Sequence, residues 1–300
     1  MILLEPVIDG ITTVLMFFIN LLPDMISDPF QYAFMQRALL TSLVVGTVCG
    51  VLSCYVVLKR WALLGDAISH AVLPGVALAY LLGAPLFIGA FISGSVTSIG
   101  IGFLQRNTRI KEDSAMGILF TATFALGVVL ISRIATSTHL MHILFGNVLG
   151  VSTQLLATTM ITGVLALACV LLFYKPLLLY CFDPTHASAI GMPTGVIHYG
   201  LMLLLTLTIV TSLETVGVIL VVAMLIIPGA TASMLTHRLP VMMAISAGVG
   251  AASAAFGLYF SFILNVASGG TIVLVAFTLF ALTAIVAPEG PVRGRKLHRS

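Results

Sequence analysis

Nine apolar runs, each close to a bilayer's thickness in helical length, leave this chain few ways to fold. They fall at 38–58, 61–82, 86–104, 115–132, 153–174, 196–214, 216–236, 240–262 and 271–288. A hydrocarbon core of about 30 Å is crossed by roughly 20 helical residues. Lipid offers no partner to a backbone N–H or C=O, so such runs must pair their own backbone as helices. The rest of the composition agrees. Of 300 residues, 60% are hydrophobic and 8% charged, whereas soluble domains carry about 25% charged residues. The expected fold is an all-α polytopic membrane protein with about nine transmembrane helices. It would have ten if the N-terminal run also crosses, and eight if one run is re-entrant. A net charge of +3 is too small to point to nucleic acid. The first residues, Met1 to Pro6, carry no basic region, so no removable signal peptide is expected.

The basic residues then orient the chain. Lys59 and Arg60, Arg106, Arg109 and Lys111, Lys175, Arg238, and the tail residues Arg293, Arg295, Lys296 and Arg299 all fall on one side of a nine-span count. Only Arg37 and Arg133 fall opposite. Cytoplasmic connections are enriched in Lys and Arg, which predicts an outside N-terminus and a cytoplasmic C-terminus. The expected division is an interfacial, extracytoplasmic segment at 1–30, a transmembrane domain at 31–290, and a basic cytoplasmic tail at 291–300. Within 1–30 the apolar run from Ile11 to Leu22 is short for a span.

Against this background the ionisable residues inside spans stand out. The stretch Lys59 to Gly75 reads K-R-W-A-L-L-G-D-A-I-S-H-A-V-L-P-G. Asp66 and His70 are four apart, hence on one helix face. At about 1.5 Å per residue they lie roughly 9 and 15 Å beyond Arg60, so His70 would sit near the midplane. Ionisable groups at that depth are costly and mark a pathway or a pair. One oxygen and one nitrogen suit divalent Mn, Fe or Zn. The alternative is that the two residues only hydrogen-bond and hold the bundle. Pro74 and Pro228 interrupt spans and are candidate flex points or static kinks. Glu214, at the outer end of the sixth span, and the outer pair His139 and His142 are possible entrance residues, or plain interfacial and surface groups. His186, His237 and His298 read as solvated, and His198, which begins a span, receives no role. The four cysteines, 49, 54, 169 and 181, form no C-x-x-C pair and read as apolar packing.

One connection is longer than joining two spans requires, Lys175 to Gly195. Within it Asp183-Pro184 reads as an N-cap followed by a first-turn proline. A short helix from Thr185 to Ile190 would follow, ended by Gly191 and Pro193. It is a candidate docking surface for a soluble partner, or simply a solvated loop. The chain has no G-x-x-x-x-G-K-[ST], no H-E-x-x-H and no serine-hydrolase motif, so it is not read as an enzyme.

The stretch L-L-G-D-A-I-S-H-A-V-L-P-G-V-A-L-A-Y at 63–80 resembles the signature of the permease subunits of manganese, zinc and iron ABC importers. Residues 144–151, 182–193 and 215–232 resemble the same family in the same order. The resemblance covers about residues 30–288, and the first thirty residues look longer than the usual family N-terminus. It implies a trimmed version of the vitamin B12 importer permease fold. It implies partners: a second permease protomer (a copy or a paralogue), two cytoplasmic ATP-binding subunits, where ATP hydrolysis would reside, and an extracytoplasmic metal-binding protein. Asp66 and His70 match the family's proposed intramembrane metal position. The segment 182–193, with Asp183, Pro184, Ala187, Ile190 and Gly191, matches the coupling segment that docks on the ATPase. No permanently bound cofactor is implied, and Mn2+, Zn2+ or Fe2+ is cargo. A two-fold dimer would bring two Asp66 and two His70 together. The competing reading is an ATP-independent secondary transporter or channel using the same pair.

Overall fold

The structure, a computed structural model, describes residues 5–21, 23, 27–133, 146 and 148–287. All regular elements among them are helical. Helix α1 (Glu5–Ile19) is followed by α2 (Ala33–Leu58), α3 (Leu64–Ala71), α4 (Leu73–Leu82), α5 (Leu86–Asn107), α6 (Glu112–Ile131) and α7 (Thr153–Leu172). Then come α8 (Tyr174–Phe182), α9 (Pro184–Ala189), α10 (Thr194–Val216), α11 (Val218–Ser233), α12 (Leu239–Leu264) and α13 (Ser268–Val286).

Eight segments are long and apolar enough to cross a membrane, with α3 and α4 counted as one, and α11 is a shorter apolar helix of 16 residues. Close approaches show that α11 must cross as well. Helix α12 lies antiparallel to α2, with Gly250 against Gly46 and Ser246 against Gly50. It therefore starts at the end of the bundle where α2 finishes. Helix α10 lies antiparallel to α5, with His198 beside Gly102 and Thr206 beside Gly94, so it finishes at the opposite end. Only α11 connects the two. The described residues thus make nine crossings, as the apolar runs predict. Lys59, Arg106, Arg109, Lys111, Lys175 and Arg238 gather at one end.

Helix α1 remains separate from this count. At about 1.5 Å per residue its 15 residues reach roughly 22 Å, short of a bilayer core. It packs Ile8 against Leu40 of α2 and Leu156 of α7.

Lipid-solvated helices gain little from the hydrophobic effect on meeting one another, so small residues that let backbones touch decide the contacts. A Cβ on Gly46 would stand 2.6 Å from the carbonyl oxygen of Gly250. The Ser246 hydroxyl donates to the Gly50 carbonyl oxygen at 2.5 Å in the same seam. Gly248, two residues away, has open space where its Cβ would be. Gly250→Val is expected to lower the thermal stability of the purified protein, by about 1–3 kcal/mol or more of overpacking. Gly248→Ala should leave it within about 0.5 kcal/mol. Melting both in detergent checks the pair.

Candidate functional site

The position of Asp66 and His70 is set by how α2 ends. The N–H of Arg60 bonds to Val57 O at 3.1 Å and that of Trp61 to Val56 O at 2.8 Å, the paired bonds of a Schellman cap. The cap's left-handed position, normally glycine, is Arg60 with φ +58°. Trp61 then turns inward, 1% exposed, and α3 begins at Leu64 rather than at 61. Asp66 therefore stands in the first turn of α3.

Asp66 and His70 share a face, as their spacing predicts, with His70 Nε2 3.5 Å from Asp66 Oδ1. That is long for a hydrogen bond. It is close to a chelating bite: with metal–ligand distances of about 2.1 Å, a gap of this size subtends roughly 110° at the ion. The His70 ring stands edge-on to Phe120 and Phe124 of α6, both at 5.4 Å between centroids. These rings fix the imidazole. Both side chains stay partly open, His70 by 30% and Asp66 by 47%. Among the described residues no group of three or more His, Cys, Asp or Glu could hold a metal.

Just beyond His70 the helix breaks at Val72, and Pro74 occupies the first turn of α4. The break loosens the backbone bonding, and Ser93 of α5 donates to Ala71 O at 2.6 Å. Pro228 lies inside α11. Beside it Ser53 of α2 accepts from the Gly229 N–H at 2.8 Å and donates to Ile226 O at 3.3 Å. A neighbouring serine thus serves the backbone at both prolines, as lipid burial requires.

Glu214 is half-buried near the end of α10, in a crevice with Val72, Val76, Leu86, Phe87 and Ala90. This is the α5 and α10 side of α4, whereas Asp66 and His70 face α6. His139 and His142 lie outside the described residues.

The connection 175–195 is more structured than a loop carrying one short helix. After Phe173 the chain makes α8, whose apolar L-L-L-Y-C-F buries Leu177 and Tyr180. Helix α9 follows almost as its residues dictate. The Asp183 carboxylate accepts from the His186 N–H at 2.8 Å, and Pro184 stands in the first turn. At the far end Gly191 (φ +82°) donates to Ser188 O and Met192 donates to Ala187 O, a second Schellman cap. Ala187 is buried against the body, while Pro184, Thr185, His186, Ser188 and Ile190 are exposed. The result is a short knob capped at both ends, projecting from the basic end.

Behind that knob is a cluster no sequence motif announces. Tyr180 Oη and His198 Nδ1 are 2.6 Å apart and buried. Lys59 Nζ lies 3.9 Å from the Tyr180 ring centroid and 3.4 Å from Tyr180 O. Burial lowers the Lys59 ammonium below its usual value, with Cys181 and Glu112 pulling the other way. The same burial pushes the Cys181 thiol up to about 11, against the pull of Lys59. Cys49 and Cys54 are buried, and all four cysteines are free.

Comparison with known proteins places this architecture. The model of the ABC 3 transport family matches residues 31–287. The chain belongs to this family. Among relatives, the manganese transport system membrane protein MntC of Halalkalibacterium halodurans is 56% identical over 266 residues, 88% of this chain and 91% of that protein. The chelated iron transport system membrane protein YfeD of Yersinia pestis is 50% identical, covering 93% of this chain and 94% of that protein. The solved structure of PsaBC from Streptococcus pneumoniae in complex with Fab matches with a TM-score of 0.80 and 43% identity, over 91% of this chain and 99% of that one. A metal-chelate type ABC transporter in an inward-facing conformation shares the fold, with a TM-score of 0.67 at 18% identity.

The two caps of α9 give a direct test. Asp183→Ala should remove about 1 kcal/mol of local stability. The expected readout is faster amide hydrogen exchange at His186 and Ala187, with global melting little changed.

Proposed function

We propose that this chain is the membrane-spanning subunit of an ATP-driven importer that carries Mn2+ or Fe2+ into the cytoplasm. The observation that carries the reading is the Asp66–His70 pair: one oxygen and one nitrogen at a chelating separation, on a broken helix in a family of ABC transport permeases. The family membership and the manganese and iron systems of the relatives favour these two ions over zinc. They leave the ATP-independent reading without a supporting feature.

In this reading the second pair of ligands comes from a second permease protomer across a two-fold axis. The partly open Asp66 and His70 faces would then meet. Two carboxylates offset the charge of a dehydrated divalent ion, which hydrocarbon cannot do. The imidazoles must be neutral to ligate, so uptake should weaken in acid. The basic end is cytoplasmic by the charge rule, with the N-terminal helix outside. The tail 291–300 belongs to the cytoplasmic side. The capped knob α9, with Asp183, Pro184, Ala187, Ile190 and Gly191, docks on a separate ATP-binding subunit, one for each protomer. An extracytoplasmic metal-binding protein delivers the ion near Glu214, with His139 and His142 on the same side. Closure of the ATP-binding subunits moves α9 and switches access between the two faces. The broken backbones at Pro74 and Pro228 are where the spans would bend.

Asp66→Ala and His70→Ala are each expected to cut ATP-dependent uptake of radioactive manganese by tenfold or more, with complex assembly and basal ATP hydrolysis retained. Uptake at the wild-type rate in both variants would sink the pathway assignment. Gly191→Val tests the knob separately. A β-branched residue is strained at φ +82°, although its Cβ would meet open space. Hydrolysis is expected to lose its stimulation by the metal-loaded binding protein, while the protein still folds and binds metal.

A further inference from the structure

A buried aromatic cluster lies at the basic end of the bundle. His198 is 5% exposed in the first turns of α10, yet it touches three separate elements. Its Nδ1 is bonded to Tyr180 of α8. Its ring stands edge-on to Trp61 at 5.3 Å between centroids, 82° from coplanar, and to Tyr199 at 5.2 Å. Its Nε2 lies against Gly102 of α5, so close that a Cβ there would be at 2.8 Å. Neither this nitrogen nor Trp61 Nε1 has a hydrogen-bond partner among the described residues. Such a site is held by shape, with one polar link at its centre.

The ends of this chain of contacts are informative. Tyr180 is three residues before Asp183, the residue that caps α9, and α8 is continuous between them but for that cap. Trp61 is three residues before Leu64, where α3 starts, and Leu64 N bonds to Trp61 O at 2.9 Å. Lys59, in the same turn, lies on the Tyr180 ring. A displacement of α9 therefore has a packed route to the first turn of α3, which holds Asp66.

We propose that Tyr180, His198 and Trp61 form the joint through which movement of α9 reaches α3, and with it Asp66 and His70. They are positioning residues and touch no ion. Packed interiors shift between discrete arrangements rather than deforming smoothly, so a joint of this kind passes on a rotation as a unit. The Tyr180–His198 bond is the part that can be removed without changing shape. The proposal rests on the importer reading given above.

The test uses the complex of this permease with its ATP-binding subunits and metal-binding protein, reconstituted in vesicles. Manganese uptake and ATP hydrolysis are measured in the same preparation. Tyr180→Phe is expected to lower Mn2+ moved per ATP at least fivefold, with hydrolysis within twofold of wild type. His198→Leu should behave likewise. His198→Asn, which returns a polar atom near the place of Nδ1, should recover much of the ratio. An unchanged ratio in Tyr180→Phe and His198→Leu overturns the joint. So does a parallel fall of uptake and hydrolysis that follows the amount of assembled complex. A wild-type complex that moves no Mn2+ with ATP overturns the importer reading, and the joint with it.

Discussion

The site depends on the turn between α2 and α3. A helix crossing lipid has no freedom to choose where its polar residues fall once its first residue is fixed, because each later residue advances about 100° and 1.5 Å. The Schellman cap at Val56–Trp61 fixes that first residue. It holds Arg60 in a left-handed conformation that costs a non-glycine residue roughly 1–2 kcal/mol. Burial of Trp61, nearly complete, offsets that cost, at about 25 cal/mol per Å2 of apolar surface. Had α3 begun at Trp61, with no intervening turn, the pair would face elsewhere. The turn thus sets both the depth and the direction of Asp66 and His70.

The spans were readable because lipid makes a single demand on every residue in them, and apolar composition answers it. The short α11 was readable for the same reason. Helix α9 was legible in more detail, since Asp183, Pro184 and Gly191 each satisfy or release a backbone group in a way few other residues can. The shared face of Asp66 and His70 followed from spacing alone. What escaped was tertiary. Nothing in Lys59-Arg60-Trp61 announces a Schellman cap, because the residue in the glycine position is arginine. Helix α8 was hidden behind Phe173, since the apolar residues continue across the break and only the backbone changes direction.

His198 is the clearest case of a role invisible in the chain. It sits 18 residues from Tyr180, with a capped helix and a turn between them. No local pattern links the two, and a lone histidine at the start of a span is ordinarily a packed one. A faint signal was available: three aromatic or basic residues, Lys59, Trp61 and Tyr180, fall at ends of elements that converge on the same side of the membrane. Convergence of element ends is a property of topology, so it became usable only once the antiparallel order of α2, α5 and α10 was known. The serine bonds at the two broken helices were hidden in the same way, for Ser53 and Gly229 belong to stretches far apart in sequence, and Ser93 and Ala71 to different helices.

A two-ligand half-site suits a transporter better than a complete one would. A structural metal site closes four ligands around the ion and holds it. Such a site inside a protomer would move with the protomer and release nothing. Here one chain brings a carboxylate and an imidazole 3.5 Å apart, and among the described residues no third His, Cys, Asp or Glu joins them. In the proposed dimer, the coordination sphere is a property of the relative placement of two protomers. It is complete when the α3 helices are close and is dismantled when they separate or rotate. Affinity then becomes a function of conformation without any change of ligand. The differential binding that alternating access needs is supplied by geometry. The proposed joint between α9 and the start of α3 fits the same economy: in a site made of two halves, a small rotation at the base of each helix is enough to open it.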